Sequence, residues 1–231
     1  MPDIYTDGTY LANNPGWHEE DAAWKATRIV DILRRNNVQA RTIAEVGCGS
    51  GAVLEAVSRT LGATAQCVGY DISPQAAAIA GKRTAQNLSF VHGDLLTADV
   101  APFDVLLAID VIEHVDDCLG FVRKLKARAR EKVFHIPLDL SVQSVLRASP
   151  IMQTRREVGH IHYFTKETAL ATLTDAGLEI VDWFYTSGAI DLPAKALRGR
   201  LAKLPRAAAF RVAPDLAARV LGGFSVMVLA R

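Results

Sequence analysis

The sequence predicts an α/β protein in which a mainly parallel sheet is wound on both faces by helices, and three observations predict it. Short apolar runs of strand length alternate with helical stretches between residues 42 and 137. Those runs are apolar almost without interruption, as strands covered on both faces are. The first of them, TIAEV, ends in the glycine-rich turn GCGSG at 47–51 and passes directly into a helical pattern.

Each element follows in order. Residues 1–17 hold the turn formers Gly8, Asn13, Asn14, Pro15 and Gly16, yet also Tyr5, Tyr10 and Trp17, the composition of an arm that packs on something. Ala22, Ala23, Ile29, Val30 and Leu33 then recur at helical spacing and predict a helix at about 19–36. Strand TIAEVG, helix AVLEAVSRTL, strand AQCVGYD, helix PQAAAIAGKRT, strands LSFVHGD and FDVLLAID, helix CLGFVRKLKARA and strand KVFHIP succeed one another. An irregular stretch is expected at 139–165, then the helix KETALATLTDAG, closed by Gly177, and the strand LEIVDWFY. A basic helical insertion at 188–221 precedes the last strand, GGFSVMVLAR, which is expected to run antiparallel to LEIVDWFY. One domain over 1–231 accommodates all of this, because a chain of this length buries one core.

Twenty-six basic and 25 acidic residues leave a formal charge of +1, so no global field favours a nucleic-acid partner. Cys48, Cys67 and Cys118 are widely spaced with no C-x-x-C, which suits neither a disulfide framework nor a zinc site and fits a reducing cytoplasm. The first residues lack a basic segment followed by an apolar run, so no secretory leader is expected. No apolar stretch reaches the roughly 18 residues of a membrane span. A cytoplasmic protein is the expectation.

The glycine turn has two parses. As G-x-G-x-x-A it passes for a nicotinamide-dinucleotide fingerprint; as E-x-G-x-G-x-G, from Glu45 to Gly51, it fits a different cofactor. Both need the same backbone, a tight bend after a strand and a helix N-terminus facing the ligand. Asp71, about 20 residues on, can accept from ribose hydroxyls in either case. The later strand ends separate them: VGYDIS, VHGDLL and FDVLLAIDVIEHV each bring a carboxylate to the same crevice, which suits a cationic ligand better than a pyrophosphate.

In order and spacing EVGCGSG, VGYDIS, VHGDLL and FDVLLAIDVIEHV resemble the class I S-adenosylmethionine (SAM) dependent methyltransferases, a likeness that GHIHYFT, TDAGLEIVDW and the terminal strand extend. It covers about 18–190 and the last ten residues. The resemblance implies the Rossmann-like class I methyltransferase fold and SAM as cofactor. It implies that Gly47, Gly49 and Gly51 lie against the amino-acid part of SAM, with Glu45 at the ammonium. Asp71 would take the ribose hydroxyls, Ile72 would lie on the adenine, Asp94 would accept from the adenine amino group with Leu95 beside it, and Ile109 and Asp110 would line the methionine segment. For Asp71 and Asp94 alone, capping of the following helix is the competing explanation.

The N-P-P-Y or D-P-P-Y signature of base methylation is missing after FDVLLA, and Pro137 is followed by Leu rather than Cys, so DNA is not the expected acceptor. IDVIEHV resembles the small-molecule branch, which makes a small molecule or carbohydrate the expected acceptor, at oxygen. His114, His135, His160 and His162 are candidate bases, imidazole being the side chain poised near neutral pH. His160, in a loop expected on the carboxyl side of the sheet, and His114 are the favoured pair. Asp110-x-x-Glu113-His114 with His160 also resembles the E-x-x-E-H…H set of metal-assisted methyltransferases, including ubiquinone O-methylases; with Asp at the first position, the expectation is catalysis without a metal.

The segment 1–36 also resembles the lid found before the first strand in relatives, with Tyr10, Trp17, His18 and Trp24 closing over the site or stapling the first helix to the sheet. Lys195, Arg198, Arg200, Lys203, Arg206, Arg211 and Arg219 stud the insertion, a solvated helical face first, a cap over an anionic acceptor or a membrane-surface contact second. An active enzyme is favoured over a non-catalytic SAM-binding or partner-binding module, because a module has no use for an intact glycine turn and Asp71. No motif bears on the oligomeric state.

Overall fold

Seven strands form one sheet in a computed structural model that describes residues 4, 5, 7–17, 19–193 and 197–231, the side chains of 197–202 excepted. His18 and Lys195 lie outside the described residues, as do the side chains of Arg198 and Arg200. The arm contains the short helix α1 (Thr9–Asn13), and α2 spans Ala22–Arg35. β1 (Thr42–Val46), α3 (Ala52–Leu61), β2 (Gln66–Asp71), α4 (Pro74–Ala80), β3 (Leu88–His92), β4 (Phe103–Ile109), α5 (Cys118–Leu125) and β5 (Ala129–Pro137) follow in the predicted order. Beyond them come α6 (Val142–Arg147), α7 (Ser149–Glu157), α8 (Lys166–Asp175), β6 (Ile180–Thr186), α9 (Gly188–Asp191), α10 (Leu197–Val212), α11 (Pro214–Leu221) and β7 (Ser225–Ala230).

The strand order is β3-β2-β1-β4-β5-β7-β6. The pairings among β1 to β5 are parallel, whereas β7 runs antiparallel both to β6, as predicted, and to β5, between which it is inserted. Alternation along the strands divides the core. Val105, Leu107 and Ile109 of β4 face Ile29, Ile32 and Leu33 of α2 and Leu54 and Val57 of α3. Leu106 and Ala108 face the other way, toward Val122 and Leu125 of α5 and Leu173 of α8. Both faces are therefore dry, which accounts for the continuous apolar runs.

The stretch expected to be irregular, 139–165, contains α6 and α7. Ser141 caps α6 by a reciprocal exchange with Ser144, and Ala148 turns at φ 54° between the two helices. Periodicity hides α6 because its apolar residues point outward: Val142, Val145 and Leu146 are 51, 57 and 82% exposed.

β1 and β4 are neighbours, with successive strands added outward from them in opposite directions, so a crevice opens beyond their carboxyl ends. The turns after β1, β2 and β4, the loop before α8 and the arm converge there.

Candidate active site

The crevice is a cavity of about 840 Å³, within the size range of small-molecule sites. Its floor is the glycine turn. Gly47 and Gly49 sit at φ 65° and 54°; a Cβ on the first would come within 2.9 Å of Val111 and on the second within 3.3 Å of Trp17. Bare backbone is required at both for the wall and the arm to approach this closely. Asp71 fixes the turn: its Oδ2 accepts from the Gly49 N–H and its Oδ1 from the Ser73 N–H, both at 2.8 Å. It does not cap α4 with its side chain, a task taken by Ser73, whose Oγ accepts from Ala76.

Glu45 lies beneath the turn, 2% exposed, with Oε2 lacking a hydrogen-bond partner among the described residues. Burial first, and the charge of Asp71 behind it, push its carboxyl up to about 8, against the pull of Lys25. A buried carboxyl with an open oxygen fits a ligand ammonium.

Asp110 adopts φ 53° at the end of β4, a left-handed conformation that aspartate tolerates. Its Oδ1 accepts from His135 Nδ1 at 2.6 Å and its Oδ2 pairs with Lys25 Nζ at 2.7 Å. Burial opposes this charge, but His135 and Lys25 outweigh it and hold the carboxyl far below its usual range. His135 is committed on both sides, its Nε2 lying 2.8 Å from Thr186 Oγ1, so it is a strut rather than a base. Lys25 also pairs with Asp21 at 3.0 Å; despite burial, these two carboxylates raise its pKa and keep it charged.

At the other end of the cavity Glu113, His114 and His160 bring one ligand atom each within 4.8 Å of one another. Glu113 is fully buried and both of its carboxylate oxygens lack hydrogen-bond partners among the described residues. Its Oε1 is 3.9 Å from the Nε2 of each histidine, too long for a hydrogen bond. Asp139 Oδ2 holds His160 Nδ1 at 2.6 Å, and Tyr5 Oη lies 2.7 Å from His114 Nδ1 while donating to the Val158 carbonyl at 3.0 Å. With the Tyr5 hydrogen on the Val158 carbonyl, its oxygen accepts from His114 Nδ1, the tautomer that leaves the His114 Nε2 to face Glu113. The two Nε2 atoms and the Glu113 carboxyl thus converge without hydrogen-bonding one another. Burial, then His160, lowers the His114 pKa to about 4, and burial and Asp110 drive that of Glu113 well up. The three atoms form a donor set suited to a cation, with the outer partners that orient ligating histidines in place.

Of the residues singled out from the sequence, Glu45, Gly47, Gly49, Asp71, Ile72, Ile109, Asp110, His114 and His160 line the cavity, with Tyr10, Trp17 and Trp24. Gly51, Asp94 and Leu95 do not. Gly51 serves packing, since a Cβ there would lie 2.5 Å from Phe90. Leu95 points into the core, and Asp94 is exposed and accepts from the Leu96 N–H at 2.8 Å, a local turn. His162 donates to the Val115 carbonyl at 2.8 Å, away from the cavity. Gly188 is the one residue of the insertion lining the cavity among those described; Lys203 and Arg206 instead reach the Leu192 and Leu221 carbonyls, and Arg219 reaches Glu167.

The sequence reading passed over Lys25 and Asp139. Lys25 had a signal, a charge on the helical stripe of Ala22, Ala26, Ile29 and Leu33, where a solvated lysine does not belong. Asp139 had none.

Residues 17–182 match the family model described as a methyltransferase domain. The chain belongs to the class I SAM-dependent methyltransferase family. It is 25% identical over 128 residues to a ubiquinone biosynthesis O-methyltransferase of Haemophilus ducreyi, covering 48% of this chain and 53% of that one. To the mitochondrial enzyme of the same name in Schizosaccharomyces pombe it is 30% identical over 110 residues, covering 44% and 39%. The chain spans about half the length or less of these relatives. The N-methyltransferase NodS of Bradyrhizobium japonicum WM9, solved with S-adenosylhomocysteine, superposes with a TM-score of 0.62 at 18% identity, covering 99% of this chain and 98% of that one. This methyltransferase fold carries SAM as its cofactor. Among the described residues no helix is long and apolar enough to cross a membrane.

Proposed function

We propose that this methyltransferase transfers the methyl group of SAM to a hydroxyl of a small molecule bound between the glycine turn and the Glu113–His114–His160 cluster, which holds a divalent cation. The observation that carries the reading is the convergence of one ligand atom each from Glu113, His114 and His160, with Glu113 and His160 buried and the Glu113 carboxyl without a hydrogen-bond partner among the described residues.

SAM supplies a methyl group made electrophilic by its sulfonium. The chain's part is to hold and align it: Glu45 takes the ammonium, Lys25 turns toward the carboxylate, and Asp71 reaches the ribose from a turn it has already ordered. A divalent cation lowers the pKa of a bound hydroxyl and orients it. That chemistry supports oxygen over nitrogen, because a neutral amine is nucleophilic without it, and the relatives named for ubiquinone O-methylation support the same atom. Tyr10, Trp17, Ile4, Val111, Val158 and Ile161 wall the cavity and exclude water. A carbohydrate acceptor would stack on the same aromatic wall.

The reading preferred from the sequence, catalysis without metal and His160 as base, keeps one observation in its favour: the 2.6 Å Asp139–His160 pair would stabilise an imidazolium. Chelation separates the two. Release of S-adenosylhomocysteine in the presence of candidate catechols or sugars should be lost with EDTA and return with magnesium or manganese. Turnover that survives EDTA but falls about 10²–10⁴-fold in His160→Ala would establish the base reading instead. A chain that binds SAM and never turns over would be a binding module.

A further inference from the structure

Resting on the cation reading above, we infer that Tyr5 is a positioning residue of the cluster, so that the N-terminal arm is a working part of the cation site and not only a cover over it.

The two histidines are held by different kinds of partner. Asp139 follows β5 directly and belongs to the scaffold; it fixes His160 through Nδ1 at 2.6 Å. Tyr5 belongs to the arm, 109 residues from His114 in sequence, and fixes it through Nδ1 at 2.7 Å. The same hydroxyl lies 3.0 Å from the Val158 carbonyl, and when it donates there it accepts from His114 Nδ1 and leaves the His114 Nε2 lone pair facing Glu113. A phenol that accepts from Nδ1 does for His114 what the Asp139 carboxylate does for His160.

The loop before His160 is shaped to receive this tyrosine. Gly159 sits at φ 82°, and a Cβ on it would lie 2.8 Å from Tyr5 Oη and 2.6 Å from Ile4 Cδ1. The arm is fastened to the same place a second time, Asn14 Nδ2 donating to the Glu157 carbonyl at 2.9 Å. From Tyr5 the contact runs on through Tyr10, with centroids 5.0 Å apart, to Trp17, 4.7 Å further, which lies on Gly49 at the cofactor end. Docking of the arm therefore completes the orientation of His114, and a cation that fixes His114 in this orientation favours the docked arm. By linkage the two effects are equal in size.

The test uses the full chain, stripped of metal, with Mn²⁺ as probe. Calorimetry and the EPR signal of free Mn²⁺ give its affinity for the parent, Tyr5→Phe, Asp139→Asn and Asn14→Ala. Tyr5→Phe keeps the ring against Tyr10 and should weaken Mn²⁺ about 10–100-fold, as Asp139→Asn should, while S-adenosylhomocysteine affinity and melting temperature stay near the parent's. Asn14→Ala touches no ligand, and should weaken Mn²⁺ less, through the arm alone. Mn²⁺ should slow chymotryptic cleavage at Tyr10 and Trp17 in the parent and lose that effect in Tyr5→Phe. A parent that binds no Mn²⁺ would overturn the cation reading and this inference together. A parent that binds Mn²⁺, with Tyr5→Phe binding it equally well, would overturn the role of Tyr5 and leave the cation reading standing. Parallel loss of Mn²⁺ and S-adenosylhomocysteine binding in Tyr5→Phe would show that the tyrosine is structural, and would also overturn it.

Discussion

Replacing Glu113 by glutamine removes a buried carboxyl that has no hydrogen-bond partner among the described residues, and in metal-free protein this should stabilise the fold. Leaving such a group unsatisfied costs about 1–3 kcal/mol. Glutamine has the same shape, stays neutral at every pH, and presents an N–H₂ toward the two Nε2 lone pairs that Glu113 Oε1 faces at 3.9 Å. In a chain of 231 residues each kcal/mol corresponds to about 2–4 °C, so melting should rise by about 2–12 °C. The pH dependence has a definite sign. Burial and Asp110 raise the Glu113 pKa well above its ordinary 4.5, so the folded parent retains a proton that the unfolded chain gives up. Parent stability then falls as pH rises above 4.5 and the variant's does not, and the gap between them widens toward alkaline pH. Scanning calorimetry of both proteins in EDTA, from about pH 5 to 8, measures this; added Mn²⁺ should then raise the melting temperature of the parent only. A variant that melts below the parent in EDTA would refute the reasoning, because it would mean that Glu113 is well partnered without a cation.

Three further outcomes follow from the cofactor end. Lys25→Met should weaken S-adenosylhomocysteine about 10–100-fold by removing a charged partner of its carboxylate, and leave adenosine, which lacks that group, unaffected; equal losses for both would count against the assignment. Glu45, raised from 4.5 to about 8, holds a proton at neutral pH that a ligand ammonium expels, so SAM affinity should rise with pH between about 5 and 7 and ligand-free stability should fall over the same window. Calorimetry in buffers of different ionisation enthalpy counts that proton, and none should be released from Glu45→Gln. Gly51→Ala places a Cβ 2.5 Å from Phe90 at φ 77°, and should cost about 2–4 kcal/mol in urea unfolding while ligand affinity in the folded protein stays within a few-fold of the parent's.

What the sequence by itself determined is local. Alternating apolar runs and the glycine turn after TIAEV sufficed for the layered sheet and its crevice, and the order and spacing of the four strand-end motifs, through the family they resemble, for the cofactor. The late arrival of GGFSVMVLAR sufficed for one reversed strand. These features are written within a few residues of one another, because strands, turns and helix starts are decided by neighbours in the chain. The tertiary structure decided which polar groups meet. Lys25 reaches Asp110 from α2 to the end of β4, and Tyr5 reaches His114 and Asp139 reaches His160 across 109 and 21 residues. No periodicity records such meetings, and the same holds for Gly51, whose motif position suggested a ligand and whose neighbour proved to be Phe90. A side chain's chemistry depends on which atoms are brought within hydrogen-bond distance and how much water is driven off them, and only the packing of distant segments sets both.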